Sequence, residues 1–195
     1  RRVDQHGSIT FIGEDPHGFY SRPGLAYYLT GELDYPQLFS YRTEDYKALN
    51  ALFMRGLATR ILPETHEVEI NQSARLPYDR LLVAVGAGAT KLPVPGADLA
   101  GVVKLDHMDD AQRIVALAKR ARTAVVVGGG ITALELAEGL TARRIKVHLL
   151  IRTARYWSNV LDEEESQILE KRLEEEGIVL HRQTELAEIL GNTAG

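Results

Sequence analysis

A glycine-rich turn between an apolar strand and a helix is the feature that most constrains this chain. Residues 123–137 have the sequence TAVVVGGGITALELA, which places Gly128, Gly130 and Ala133 in G-x-G-x-x-A spacing. The first glycine allows a tight turn, the second lets the backbone approach a diphosphate, and the small third residue lets the helix pack on the strand. The helix opening at Ile131 turns its free N–H groups toward the anion. A nucleotide is therefore the first ligand to consider.

Composition excludes several classes of protein. The chain has 195 residues, 45% of them hydrophobic, which suits one large or two small globular domains. A net charge of −4 gives no basic field for nucleic acid, and without cysteine the chain has no disulfide, thiolate metal site or redox dithiol. Six histidines lie scattered without paired ligand spacing, so no metal site is expected. No apolar stretch is long enough to cross a bilayer and no leader is visible, so we expect a cytoplasmic protein without a membrane partner.

The second half of the chain alternates helical and strand patterns, which favours an α/β fold with a parallel sheet. The predicted helices cover residues 109–120, 131–142 and 162–176, and the predicted strands cover residues 124–127, 146–151 and 178–181. In the last helix, Ile168, Leu169 and Leu173 at helical spacing make the acidic residues 174–176 the solvent-facing side.

The first half begins with an apolar strand over residues 8–13, which Glu14 follows at the position where an acid can hold ribose hydroxyls. Such an acid comes about 20 residues after its glycine turn. The turn that would serve Glu14 therefore falls before residue 1, and we expect the chain to begin inside the first helix of its first domain.

The rest of the first half predicts a helix over residues 43–50 and strand-like segments, and it ends in a linker at residues 91–96, where prolines break the pattern. In the segment at residues 67–70 the alternation places Val68 and Ile70 on one face, as in a half-exposed antiparallel strand. The other strand-like segments are residues 51–62 and 81–85.

Five segments together resemble the FAD-dependent pyridine nucleotide-disulfide oxidoreductase superfamily, specifically its branch of ferredoxin, rubredoxin and nitrite reductase-type flavoproteins. They occur in the order of that superfamily and cover nearly the whole chain: residues 9–14 (ITFIGE), 20–23 (YSRP), 76–87 (LPYDRLLVAVGA), 92–96 (LPVPG) and 127–137. Each segment alone is a weak signal, and the five in order are a strong one.

The resemblance implies a Rossmann-like three-layer FAD/NAD(P)-binding α/β fold with two incomplete dinucleotide-binding domains. Residues 1–98 would be part of an FAD domain that lacks its first strand and glycine turn, and residues 99–195 part of an NAD(P) domain. Hydride would pass from NAD(P)H to FAD, and electrons onward to a protein or metal-centre acceptor. A homodimer is one option for the full-length protein. We expect the fragment by itself to bind nucleotides poorly and to catalyse no reaction.

The resemblance also implies residues that hold FAD. Glu14 would bind the adenosine ribose, and Arg22, followed by Pro23, would lie against FAD, where a guanidinium suits phosphate oxygens. The alternative for Arg22 is a surface arginine before a turn proline. Where relatives carry a lysine near the flavin this chain has Tyr27, and the cysteine of peroxide-, oxygen- or coenzyme A disulfide-reducing relatives is absent near Pro23.

Three further positions match backbone contacts of the family. Ala84 and Gly86 belong to a strand end whose backbone passes the flavin, with Val85 in place of the usual threonine. Ile61 stands where relatives contact adenine through main-chain groups. For Ile61 and Val85 the alternative is a plain core residue.

The NAD(P) pyrophosphate would lie on Gly128, Gly130, Ile131 and Ala133, with Glu135 positioning the nicotinamide. A bare structural turn is the alternative. We assign no catalytic acid, base or nucleophile.

Coenzyme preference depends on the residue that ends the next strand, where an acid holds the ribose of NAD and an arginine accepts the additional phosphate of NADP. Residues 147–152 (VHLLIR) contain no acid, and Arg152, with Arg155 as a second cation, favours NADPH. The alternative makes both arginines solvated loop cations. Tyr156 and Trp157 either stack on adenine or cover the strand end. The competing functions are an NADH-specific reductase and a non-catalytic nucleotide-binding or interaction module of the same fold.

Overall fold

The strands and helices of the computed structural model, which describes residues 6–191, follow the α/β pattern of the sequence. In chain order they are β1 (Ile9–Gly13), α1 (Gly24–Thr30), a 3-10 helix (Tyr35–Leu38), α2 (Thr43–Ala48), β2 (Ala51–Arg55), β3 (Ala58–Leu62), β4 (Glu67–Ile70), β5 (Ala74–Pro77), α3 (Met108–Ala118), β6 (Thr123–Val127), α4 (Ile131–Ala142), β7 (Lys146–Leu150), α5 (Glu163–Glu175) and β8 (Val179–His181). They group into two compact units, the first made of Arg1–Ser21 with Phe39–Ala87 and the second of Arg22–Leu38 with Gly88–Gly195.

The first unit contains two small sheets. Strands β1 and β2 pair in parallel, with Phe11 opposite Phe53, and the ring of Tyr46 on α2 lies against both aromatic rings. Strands β3, β4 and β5 form an antiparallel sheet in that order. Val68 and Ile70 on β4 are buried, which confirms the face predicted by the alternation.

Residues 81–85 are not a strand, contrary to the prediction. The segment is irregular and exposed, with Leu82 87% and Val85 82% accessible. An apolar run becomes a strand only when a neighbouring strand satisfies its N–H and C=O groups. Within the part of the chain that the structure describes, no strand pairs with this segment. For the same reason Ala84 does not end a strand, contrary to the prediction.

The second unit is built on a parallel sheet in the order β6-β7-β8. Val126, Val147 and Leu149 point to one face, where they pack with Ala133 and Ala137 of α4 and Leu173 of α5. The predicted parallel sheet and its alternating helices are confirmed. The fold brings the carboxyl ends of β6 and β7 together at the glycine turn, because Gly128 N–H donates to the Leu150 carbonyl at 3.0 Å.

The apolar side predicted for α5 is confirmed for Leu169 and Leu173, which pack in or against the core, and is wrong for Ile168. Ser166, Glu170 and Leu173 are buried, whereas Ile168 is 72% exposed. Residues 166, 170 and 173 lie on one face of the helix. Because two of these three residues are polar, a search for apolar residues at helical spacing does not find this face. The acidic residues 174–176 are exposed, as predicted.

The buried Glu170 anchors the loop after β7. Its Oε1 accepts a hydrogen bond from the Tyr156 N–H at 2.6 Å, and its Oε2 accepts two from the Arg182 guanidinium at 3.0 and 2.6 Å. The pKa of Arg182 is raised, chiefly by the hydrogen bond to Glu170. A buried carboxylate is tolerated here because both of its oxygens accept hydrogen bonds.

Helices α1 and α4 pack closely at Gly139. A Cβ on Gly139 would lie 2.7 Å from the Cβ of Leu29, so only glycine permits this approach. Arg143, just after α4, donates from Nε to the Leu29 carbonyl at 2.6 Å and from Nη2 to the Tyr28 carbonyl at 3.1 Å. The end of α1 is thereby capped by a side chain from α4.

Among residues 6–191, none of the helices has the length and apolar character that crossing a bilayer requires.

Replacing Gly139 with alanine should destabilise the protein, although helix propensity alone favours alanine by about 1 kcal/mol. The new methyl group meets Leu29, and overpacking of this kind costs about 1–3 kcal/mol. Subtracting the propensity gain leaves an expected net loss of up to about 2 kcal/mol in the free energy of unfolding, measured by urea denaturation. Gly101→Ala is the control, since a Cβ there meets nothing within 4 Å. A stabilised Gly139→Ala protein would contradict the packing.

Replacing Glu170 with alanine should lower the free energy of unfolding by about 2–4 kcal/mol, because the Tyr156 N–H and Arg182 lose their acceptor. The control is Glu174→Ala, which removes an exposed carboxylate 3.3 Å from the same arginine and should cost about 0.5 kcal/mol or less. Equal losses in both variants, measured by thermal and urea unfolding, would show that burial of Glu170 does not matter.

Candidate functional site

The turn after β6 has the backbone geometry that its glycines allow. Gly128 has φ 144°, a value that side-chain-bearing residues rarely adopt, and a Cβ there would lie 3.3 Å from the Cβ of Ala133. Gly130 is the residue before α4, and a Cβ on it would meet nothing within 4 Å. The open space beside Gly130 is where a ligand can approach the backbone. Gly129 between them packs on Ile151, whose Cγ2 would lie 3.4 Å from an added Cβ.

The N-terminus of α4 has free hydrogen-bond donors. Gly130 provides no side-chain cap, and the first backbone bond of the helix runs from the Leu134 N–H to the Gly130 carbonyl at 3.2 Å. The N–H groups of residues 131–133 donate to no other residue that the structure describes. Helices α3 and α5, by contrast, are closed by capping boxes at His107 and Asp162. Three orphan N–H groups and the positive end of the helix dipole can bind an anion such as a diphosphate.

The first turn of α4 contains no acidic residue that would repel a bound anion. Glu135, in the next turn, is half-buried, and its pKa is raised by burial and further by the charge of Glu138.

The loop that follows β7 carries the two predicted cations in different situations. Ile151 is buried on Gly129, so no carboxylate stands at the strand end. Arg152 is exposed and makes no hydrogen bond or ion pair with another described residue. Arg155 donates from Nη1 to the Leu161 carbonyl at 3.1 Å and so braces the loop. Arg152 is therefore the available cation, and Arg155 already has a structural contact.

Tyr156 covers the strand end and does not stack on a ligand, because its side chain is fully buried. Its hydroxyl donates to the Gly130 carbonyl at 2.9 Å, and its carbonyl accepts from the Ser166 hydroxyl at 2.9 Å. Burial raises the pKa of Tyr156 to about 12, so the hydroxyl stays a donor at ordinary pH. Sequence analysis did not anticipate this contact or the role of Glu170. The sequence signal for this contact was the tyrosine near the strand end, because a buried tyrosine needs a hydrogen-bond partner for its hydroxyl.

The predicted FAD residues of the first unit are all exposed. Glu14 directly follows β1 and makes no hydrogen bond or ion pair with another described residue, so its carboxylate is available. Ile61 lies on β3 with 41% of its surface accessible, so the alternative of a core residue is wrong for it, as it is for Val85. Ala84 and Gly86 lie in the irregular segment, and Gly86 has φ 67°.

Arg22 and Pro23 belong to the second unit, at the start of α1. The Arg22 Nη1 donates to the Asp106 carbonyl at 2.5 Å and lies 3.8 Å from the Asp106 Oδ1. The pKa of Asp106 is lowered, first by a hydrogen bond from the Ala89 N–H and then by Lys104 and Arg22. Asp106 was not anticipated from the sequence. Arg22 is thus partly neutralised where an anion-binding role requires its charge.

The fold also pairs two histidines that the sequence leaves apart. His148 on β7 and His181 on β8 stack, with Nδ1 of the first 2.9 Å from Nε2 of the second. Parallel register produces the pair, which sequence spacing alone cannot reveal. Two ligands are too few for a typical site, and residues 6–191 contain no group of three or more His, Asp or Glu side chains that could hold a metal.

The chain is similar to known proteins over almost all of its length. The chain matches the family described as Pyridine nucleotide-disulphide oxidoreductase over residues 1–194. It is 30% identical over 187 residues to Nitrite reductase [NAD(P)H] of Bacillus subtilis (strain 168), covering 94% of this chain and 23% of the relative. It is 35% identical over 141 residues to the 3-phenylpropionate/cinnamic acid dioxygenase ferredoxin–NAD(+) reductase component of Photorhabdus laumondii, covering 70% of this chain and 35% of the relative.

A solved structure shares the fold. The covalent putidaredoxin reductase–putidaredoxin complex superposes with a TM-score of 0.90 at 26% identity, covering 96% of this chain and 46% of that one. The chain therefore spans less than half the length of each of these three proteins. With a family match over almost every residue and the Rossmann-like fold confirmed, the chain belongs to the pyridine nucleotide-disulphide oxidoreductase family.

Proposed function

We propose that the protein acts as an NADPH-dependent flavoprotein reductase that passes electrons to a protein or metal-centre acceptor. The observation that carries this proposal is the uncapped N-terminus of α4 behind Gly128 and Gly130. The backbone donors there suit the diphosphate of a nicotinamide dinucleotide, and the family consists of FAD-dependent NAD(P)H oxidoreductases.

Each residue of the turn has a distinct part in holding the dinucleotide. Gly128 bends the chain away from β6, and Gly130 leaves room for phosphate oxygens. Ile131 and Ala133 contribute backbone N–H groups, and the small Ala133 keeps α4 against the turn. In this proposal Glu135 positions the nicotinamide end and transfers no proton.

Preference for NADPH follows from the strand end after β7. A buried Ile151 leaves no carboxylate to hold a ribose diol, while the exposed Arg152 is ready to pair with a 2′-phosphate. Arg155 keeps donors to spare beyond its bond to Leu161 and can serve as the second cation. The relatives named above use NAD(P)H or NAD(+), so this preference distinguishes the chain from part of its family.

FAD is the second cofactor of the proposal. Glu14 fits its adenosine ribose, because a free carboxylate at the end of a parallel strand can accept two hydroxyl hydrogen bonds. Ile61, Ala84 and Gly86 would offer backbone groups, and Arg22 with Pro23 would lie near the phosphates. When bound, FAD supplies the two-electron chemistry that the chain itself lacks.

The proposal assigns residues 1–98 to the FAD-binding part and residues 99–195 to the NAD(P)-binding part, in the cytoplasm. The division by contacts differs in two respects, because Arg22–Leu38 groups with the later residues and because the second unit resumes at Gly88, before residue 99. A ferredoxin-like protein is the proposed electron acceptor, since relatives are ferredoxin reductases and one solved relative is a complex with putidaredoxin. A homodimer of the full-length protein is part of the same proposal.

Replacing Arg152 with alanine should weaken NADPH binding by about ten- to a hundredfold, the effect of one lost charge-assisted contact. NADH binding should change by less than about twofold, because NADH lacks the 2′-phosphate. The measurement is titration calorimetry with both coenzymes. Arg120→Ala, which removes another exposed arginine of the same unit, is the matched control. Unchanged NADPH affinity would support the NADH-specific alternative.

The visible absorbance of the purified protein separates the reductase from the non-catalytic module. A yellow protein that bleaches on addition of NADPH supports the reductase, whereas a colourless one that binds only the nicotinamide nucleotide supports the module.

In the yellow protein, Glu14→Ala should weaken FAD retention by about tenfold through loss of charged hydrogen bonds. Glu64→Ala, an exposed turn residue of the same unit, should retain FAD fully.

A further inference from the structure

We infer that the Tyr156 hydroxyl is a positioning group that aims the phosphate-binding turn, an inference that rests on the dinucleotide site proposed above. The hydroxyl lies 2.9 Å from the Gly130 carbonyl oxygen, across the space between the loop after β7 and the start of α4. Tyr156 touches no phosphate itself, because its side chain is fully buried. It acts on the ligand through the peptide group that it holds.

The peptide between Gly130 and Ile131 transmits this contact. Its carbonyl oxygen and its N–H lie at opposite sides of one planar trans unit, so fixing the direction of the carbonyl fixes that of the N–H. The Ile131 N–H is one of the free donors at the mouth of the turn. Holding the Gly130 carbonyl back toward Tyr156 therefore turns the Ile131 N–H outward, to where an anion can bind.

Glycine makes such a restraint necessary. Gly130 lacks a side chain that could pack against a neighbour, and a Cβ on it would meet nothing within 4 Å. Its carbonyl is held by two donors, the Leu134 N–H of the first helical turn at 3.2 Å and the Tyr156 hydroxyl at 2.9 Å, and only the second reaches it from outside α4. Glycine also has the largest backbone freedom to lose when a ligand orders it. The Tyr156 hydroxyl limits that freedom before the ligand arrives, which lowers the entropic cost of binding.

Tyr156 can serve as the fixed end because its own backbone is held on both sides. Its N–H donates to the buried Glu170 carboxylate at 2.6 Å, and its carbonyl accepts from the buried Ser166 hydroxyl at 2.9 Å. Arg182 in turn fixes Glu170. The backbone of Tyr156 is thus fixed to α5. The hydroxyl therefore has a fixed position, against which the Gly130 carbonyl is held.

The loop then has two separable functions. Tyr156 supports the diphosphate, which NADPH and NADH share, whereas Arg152 faces the 2′-phosphate, which only NADPH carries. Loss of the hydroxyl should weaken both coenzymes by the same factor, and loss of the Arg152 charge should change their ratio.

The test is Tyr156→Phe, which removes one oxygen atom and keeps the ring. We expect the dissociation constants for NADPH and NADH to rise together by about three- to tenfold, the effect of one hydrogen bond, with their ratio unchanged. Trp157, the only tryptophan of the chain, is adjacent, so its fluorescence quenching reports binding of NADP(+) as well. Tyr41→Phe, a half-exposed tyrosine of the other unit, is the matched control and should leave all of these values unchanged.

The outcomes distinguish the two proposals. These measurements are made on the full-length protein. If its wild-type form binds neither coenzyme, the proposed function fails. If the wild-type protein binds and Tyr156→Phe binds equally well, the hydroxyl does not aim the turn and only this inference is overturned. A variant that does not fold, or one that loses NADPH affinity alone, overturns the inference as well, because the hydroxyl then serves stability or the 2′-phosphate subsite.

Discussion

The structure of the second unit is organised around backbone N–H groups at the start of α4 that have no hydrogen-bond acceptor among the described residues. Folded proteins normally satisfy buried or half-buried backbone donors, and α3 and α5 do so with side-chain caps. Helix α4 begins instead at a glycine, beside open space. The protein keeps the donors free and builds rigid structure around them, which is the arrangement that an anion site needs and that stability alone would disfavour.

The surrounding rigidity comes from packing and from a small buried polar network. Gly129 closes on Ile151, and Gly139 lets α1 approach α4. Glu170 and Ser166 are polar residues at buried positions of α5, and both bond to the backbone of Tyr156. Replacing them with leucine would give a more ordinary helix face but would release the loop. Their presence at apolar positions is the kind of local inconsistency that marks a positioned site.

How far the sequence predicts this structure depends on whether the relevant forces are local. The bounds of α4 at residues 131–142 are correct because glycine and the strand before it are local signals. The segment at residues 81–85 fails because strand formation needs a partner that the pattern of the segment cannot supply. On α5 the burial of Glu170 was not predicted, because it depends on Tyr156 and Arg182, which are distant in sequence. The free donors of the turn could be predicted, whereas the Tyr156 contact to Gly130 could not, since it joins residues 26 positions apart.

Separate control of affinity and specificity follows from how the loop after β7 is anchored. Its buried part, Tyr156, is fixed to α5 and meets the turn, while its exposed part, Arg152, has no contact with another described residue. In the proposed site, a change at Arg152 would therefore alter the charge offered to the ribose end of the coenzyme without moving the turn. In a fold where the diphosphate grip is set by a buried tyrosine, coenzyme preference can change through exposed residues alone, because additivity holds for groups that share no partners. In the proposed dinucleotide site, the residue that would select the coenzyme therefore lies on the surface, and the residue that would aim the turn lies in the core.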